Sequence, residues 1–93
     1  MSKVQSMVFL ALQTNDDTRP LIEAIEHDNP NAVVNHFPAM VKIDAPGRLV
    51  VRRETVEEIT GMKWDLQSFH VNLVSLSGNI DETEDELILE WKQ

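Results

Sequence analysis

The longest apolar run in this chain, Met7-Val8-Phe9-Leu10-Ala11-Leu12, is six residues long. That length sets what the chain can build. It is too short for a typical helix, and its unbroken hydrophobicity suits a strand covered on both faces. No run approaches the ~20 residues of a membrane span, so no membrane association is expected.

The rest of the chain follows in similarly short pieces. Thr14-Asn15-Asp16-Asp17-Thr18 supplies turn and N-cap chemistry, and Pro20 is tolerated only in a first helical turn. Leu21, Ile22, Ala24 and Ile25 form a helical apolar stripe, which Asn29-Pro30 ends. Two strands are expected next, Ala32–His36 and Met40–Asp44, with Pro38 in their link and Ala45-Pro46-Gly47 as the mid-chain turn. Leu49–Arg52 reads as a strand. Thr55-Val56-Glu57-Glu58 matches a capping box, with Val56 and Ile59 on one helical face and Gly61 as the stop. Trp64–Ser68 is a loop or single helical turn, and Val71–Leu76 another strand. Gly78-Asn79 turns, and a last strand carries Leu87, Leu89 and Trp91 on one face.

Each half therefore reads strand–helix–strand–strand. The expected fold is α+β: two intertwined β-α-β-β repeats forming a mixed or antiparallel sheet packed with helices. At 93 residues the expectation is a single compact domain over 1–93, with repeat halves at about 4–46 and 47–93. Met1-Ser2-Lys3-Val4 lacks the features of a signal peptide, which makes the cytoplasm the expected location.

Composition excludes several classes of function. Without cysteine there is no thiolate nucleophile and no cysteine-ligated zinc or iron–sulfur site. Sixteen acidic against eight basic side chains give a net charge of −8, the wrong sign for a nucleic-acid binder. Such acidity suits approach to a basic protein face, or simply a solvated surface.

The residues offer little chemistry. His27, His36 and His70 lack the i, i+3 or i, i+4 spacing that aims two imidazoles at one ion. Asp81-Glu82-Thr83-Glu84-Asp85-Glu86 has neither the central glycine nor the length of an EF-hand loop, so its carboxylates are expected to be solvated. No serine sits in a nucleophile motif, and the three glycines lie too far apart for a phosphate loop. Candidate contact residues remain. Trp64 reads as a core plug or an interface anchor, and Phe37 and Met40 as partner contacts or core. Arg52-Arg53-Glu54 reads as a local ion pair.

Several fragments occur in one order: I-E-H-D-N-P-N (25–31), Ala32-Val33-Val34, His36-Phe37-Pro38-Ala39-Met40, Arg52 through Glu58, Trp64-Asp65, Gly78 through Glu82, and Leu87-Ile88-Leu89-Glu90-Trp91. Together they resemble the regulatory (effector or coupling) component of bacterial multicomponent phenol hydroxylases. That family also includes the component B proteins of soluble methane monooxygenase and the effectors of toluene monooxygenases. The resemblance runs from about Val8 to Trp91, and the short length is closer to the phenol branch.

The resemblance implies a non-catalytic protein without cofactor or metal. Its implied partner is a hydroxylase with a diiron centre, supplied with electrons from NADH by a reductase holding FAD and an iron–sulfur cluster. It also allows competition with that reductase. Phenol is the implied substrate of the assembly, with methylphenols, benzene and toluene as alternatives. No catalytic residue is carried over. The contact surface is expected to draw on Asn29, His36, Phe37, Met40, Arg53, Glu54, Glu57, Trp64 and Asn79, polar or aromatic residues near element ends within the matching fragments. Two other readings stand beside this one: a stand-alone small-ligand-binding βαββ module, marked by a buried apolar pocket, and an independent enzyme built on paired carboxylates.

Overall fold

The computed structural model describes residues 7–91. The readings placed on residues 1–4, and the outer ends of the two proposed halves, lie outside that range.

Strand β1 (Met7–Gln13) leads to helix α1 (Arg19–Asp28), then β2 (Val33–His36) and β3 (Met40–Pro46). In β1, Val8, Leu10, Ala11 and Leu12 are buried, but Met7 and Phe9 keep exposure, so the strand is not covered on both faces as its unbroken apolar run predicts. Before α1, the Asn15 and Thr18 side chains close a polar ring. The Asn15 N–H donates to Thr18 Oγ1 at 3.0 Å, and the Thr18 N–H donates to Asn15 Oδ1 at 3.0 Å. Thr18 occupies the N-cap position, yet its side chain makes no bond to the helix it precedes. The α1 stripe of Leu21, Ile22, Ala24 and Ile25 is buried as its spacing predicts. β3 alternates along its length and runs on through Ala45 and Pro46, which pair with Val8 and Met7. The mid-chain turn is therefore shorter than expected.

The second half contains β4 (Arg48–Arg52), α2 (Arg53–Thr60), a 3-10 turn at Leu66–Ser68, α3 (Phe69–Asn72), β5 (Leu73–Ser77), β6 (Asn79–Glu82) and β7 (Glu86–Glu90). One sheet has the order β2-β3-β1-β5 and the other β4-β7-β6. Every pairing is antiparallel. The order β4-β7-β6 repeats the order β1-β3-β2. The second repeat is thus β4-α2-β6-β7, and residues 61–77 are an insertion that sends β5 across to the first sheet beside β1. This exchange is what intertwines the halves.

Three local expectations give way here. The capping box is not formed, because α2 begins at Arg53 and Thr55 lies inside its first turn. The helix start is fastened from outside instead. The Arg53 N–H donates to the Asp85 carbonyl at 2.9 Å, and Arg53 Nη2 meets Asp85 Oδ1 at 2.6 Å. Ile59 is 37% exposed although Val56, one turn earlier, is fully buried. Val71 and Asn72 belong to α3 rather than to a strand. Asp81 and Glu82, from the acidic stretch, pair with Ile88 and Leu87 in β6.

One core joins both repeats. Val8, Leu10 and Leu12 of β1 and Ile43 of β3 share a single cluster with Ile25, Leu49, Val51, Val56, Phe69 and Leu89. The other face of the first sheet holds the alternate residues, paired Met7↔Pro46, Phe9↔Asp44, Ala11↔Lys42 and Gln13↔Met40. All of these except Ala11 keep solvent exposure.

Gly78 passes between the two sheets with φ 135°, and a Cβ there would stand 3.0 Å from Leu89 Cγ and 3.1 Å from Val8 Cγ1. Gly78→Ala is expected to cost about 2–4 kcal/mol, combining overpacking with backbone strain. Urea unfolding monitored by circular dichroism would measure it, and a loss under ~0.5 kcal/mol would contradict this packing.

Candidate docking surface

The nine sequence-selected residues fall into separate places. His36, Phe37 and Met40 form the tip of the β2–β3 hairpin. There the Phe37 N–H donates to the Met40 carbonyl at 2.8 Å, with Pro38-Ala39 as the two-residue turn. Phe37 is 49% exposed. Arg53, Glu57 and Trp64 line an open groove of about 1250 Å³ with Lys63, Gln67 and Glu82. Glu54 sits beside Arg53 and Glu57 on the adjoining surface. Asn29 lies at the α1–β4 junction, and exposed Asn79 opens β6.

Several of the nine are engaged inside the molecule, Arg53 with Asp85 among them. The Asn29 amide donates to the Ile25 and Val50 carbonyls, each at 2.7 Å, and its oxygen accepts the Val50 N–H at 2.9 Å. This side chain caps α1 and holds it to β4. Glu57 accepts the Trp64 N–H at 2.9 Å, which fixes the chain after Gly61, the left-handed stop of α2. Trp64 packs partly buried against the core.

The acidic stretch is more engaged than a solvated run. Glu82 Oε1 lies 2.8 Å from His70 Nε2, and Glu82 Oε2 accepts from Gln67 Nε2 at 3.2 Å. Asp85 binds Arg53. These partners are far apart in sequence and nothing local marks them. Among the described residues, no group of three or more His, Asp or Glu side chains is placed to hold a metal ion. The groove is open and most of its lining residues are charged or polar, unlike the enclosed apolar pocket that a small-ligand module needs. Among the described residues, no helix is long and apolar enough to cross a membrane.

The described surface thus combines ordered strands, part-buried polar fasteners and an open groove. The chain belongs to the MmoB/DmpM family, whose pattern matches residues 6–90. It is 51% identical over 89 residues to the phenol 2-monooxygenase stimulatory component DmpM of Pseudomonas sp. (strain CF600), covering 96% of this chain and 99% of that one. Its structure is similar to one solved in a phenol hydroxylase–regulatory protein complex, with TM-score 0.89 and 49% identity, covering 94% of this chain and 100% of that one. A second such complex gives TM-score 0.85 at 49% identity, covering 92% and 100%. The soluble methane monooxygenase regulatory protein B shares the fold, with TM-score 0.73 at 21% identity, covering 99% of this chain and 70% of that one.

Asn29→Ala is expected to lower stability by about 1–3 kcal/mol, because the Val50 N–H and C=O lose their part-buried partner. Thermal unfolding would register it. An unchanged midpoint would mean that water replaces the amide without loss.

Proposed function

We propose that this chain is the stimulatory, regulatory component of a multicomponent phenol monooxygenase and acts by docking on the hydroxylase. The observation that carries this reading is the 51% identity to a stimulatory component, spread over 96% of the chain. The same fold at 49% identity in phenol hydroxylase–regulatory protein complexes supports the hydroxylase as partner.

On this reading the chain contributes no reacting group. The oxygen chemistry belongs to a diiron centre in the hydroxylase, and electrons arrive from NADH through a reductase with FAD and an iron–sulfur cluster. The reductase and this chain share one partner and compete for it. The whole chain acts as one regulatory domain in the cytoplasm, in the degradation of phenol or a related aromatic.

Stimulation without chemistry requires that the chain bind one hydroxylase conformation better than another. A tenfold shift needs about 1.4 kcal/mol of differential affinity. The rate change then arises where iron ligands, their hydrogen-bonded surroundings or the substrate path are rearranged in the partner.

Reconstitution tests this directly. Hydroxylase, reductase, NADH and phenol are combined with and without this chain, and hydroxylated product is measured. Omitting the chain is expected to cut product formation roughly tenfold or more, the scale of a typical allosteric coupling. Equal rates in both mixtures would end the proposal.

A further inference from the structure

We propose that residues 61–72 form a strap that opens as one unit while both sheets stay closed, and that the Glu82 carboxylate is its latch. The strap is a property of this chain alone and needs no partner.

The segment from Gly61 to Asn72 is the part of the insertion that precedes β5. It belongs to no strand, so no ladder of backbone bonds ties it to either sheet. Its 3-10 turn and α3 pack chiefly against each other. Within it only Leu66 and Phe69 are buried, and Trp64 is partly buried. Segments with few buried side chains and little backbone bonding to their surroundings are the ones that open locally, ahead of the whole fold.

The strap keeps its own shape. The Gln67 N–H donates to Asp65 Oδ1 at 3.0 Å, and the Ser68 N–H and hydroxyl both donate to the Asp65 carbonyl, at 2.9 and 2.7 Å. Its ends are free to turn. Gly61 has φ 72°, and a Cβ there would meet nothing within 4 Å. At the other end Leu73 is already extended, with φ −74° and ψ 123°. A body that is stiff inside and free at both ends moves about those ends as a unit.

The groups that hold it down are polar and lie at its rim. Glu57 Oε2 accepts the Trp64 N–H at 2.9 Å, and Asn15 Nδ2 donates to Asn72 Oδ1 at 2.9 Å. Glu82 grips two strap side chains at once. One oxygen lies 2.8 Å from His70 Nε2, and the other accepts from Gln67 Nε2 at 3.2 Å. Glu82 ends β6 and pairs with Leu87, so it stays with the second sheet when the strap leaves. The His70 ring stands edge-on to Phe69 with centroids 5.7 Å apart, so the grip of Glu82 bears on the side chain that plugs the core. Trp64, Leu66 and Gln67 line the open groove opposite Glu82 and Thr83, and opening the strap widens it. Any ligand that fits the open form better raises its population.

Native-state hydrogen exchange at rising, sub-denaturing urea tests the strap in the unaltered chain. The Trp64, Ser68 and Phe69 amides are expected to share one opening equilibrium, at least about tenfold more populated than that of Leu10 and Leu12 in β1. Its urea dependence lies above zero, which excludes fraying of single bonds, and below that of Leu10 and Leu12, which excludes unfolding of the whole chain. Glu82→Ala is expected to raise opening at all three amides about fivefold, the worth of two exposed contacts to one carboxylate. Asn29→Ala removes bonds to Ile25 and Val50 that the open form keeps. It is expected to raise opening at Leu10 and Leu12 about fivefold or more, while the three strap amides stay within about twofold. Strap amides that follow Leu10 and Leu12, in urea dependence or in their response to Asn29→Ala, would overturn the proposal. So would strap exchange that Glu82→Ala leaves unchanged. If Asn29→Ala does not fold, the urea dependence in the unaltered chain decides.

Discussion

The structure depends on β1 being shared. This strand bonds to β3 of its own repeat on one side and to β5 of the other repeat on the other. A strand in that position needs side chains that tolerate burial and a register that cannot slip. Shifting it by one residue would turn Val8, Leu10 and Leu12 out of the core and bring Met7, Phe9 and Gln13 in. The two ladders and the shared core each oppose that slip. The crossing of β5 also forces Gly78 into the narrow space between Val8 and Leu89, where a side chain has no room. Topology, rather than local preference, fixes that glycine.

Polar side chains then fasten the second repeat, to this frame through Asn29 and within itself through Glu57 and Asp85. Asn29 joins α1 to β4, Glu57 holds Trp64, and Asp85 holds the start of α2. The Asn29 bonds weigh most, because they satisfy backbone groups that are partly shut off from water. The Arg53–Asp85 contact is short but exposed, so its Coulomb gain is screened and its weight lies mainly in setting where the helix begins.

Much of this fold was legible in the sequence because burial and period coincide there. The stripe at Leu21, Ile22, Ala24 and Ile25 and the alternation of Met40–Asp44 each point to one structure. β6 was hidden for the opposite reason. Its residues Asn79–Glu82 are polar or exposed, and they form a strand because a short turn folds them back on β7, not because they bury anything. Val71–Leu76 reads as a strand by pattern, yet its first two residues complete the helical turn that places Phe69 in the core. The candidate site was less legible still. Asn29 and Glu57 look available in sequence, but their partners are backbone groups 21 and 7 residues away, and only the fold brings them together.

A regulator that holds no reacting group acts only through differences in affinity, and its own stiffness decides where that energy goes. A docking segment that folds on contact loses part of its interaction energy to its own ordering. A four-stranded sheet whose reverse side is a packed core is already ordered before contact. Its shape is set by Leu10, Leu12, Val41 and Ile43 beneath it, all essentially without exposure. Close-packed interiors yield little to strain. On the proposed function, misfit between so stiff a body and its partner is relieved mainly by the partner, and the partner conformation that fits best gains population.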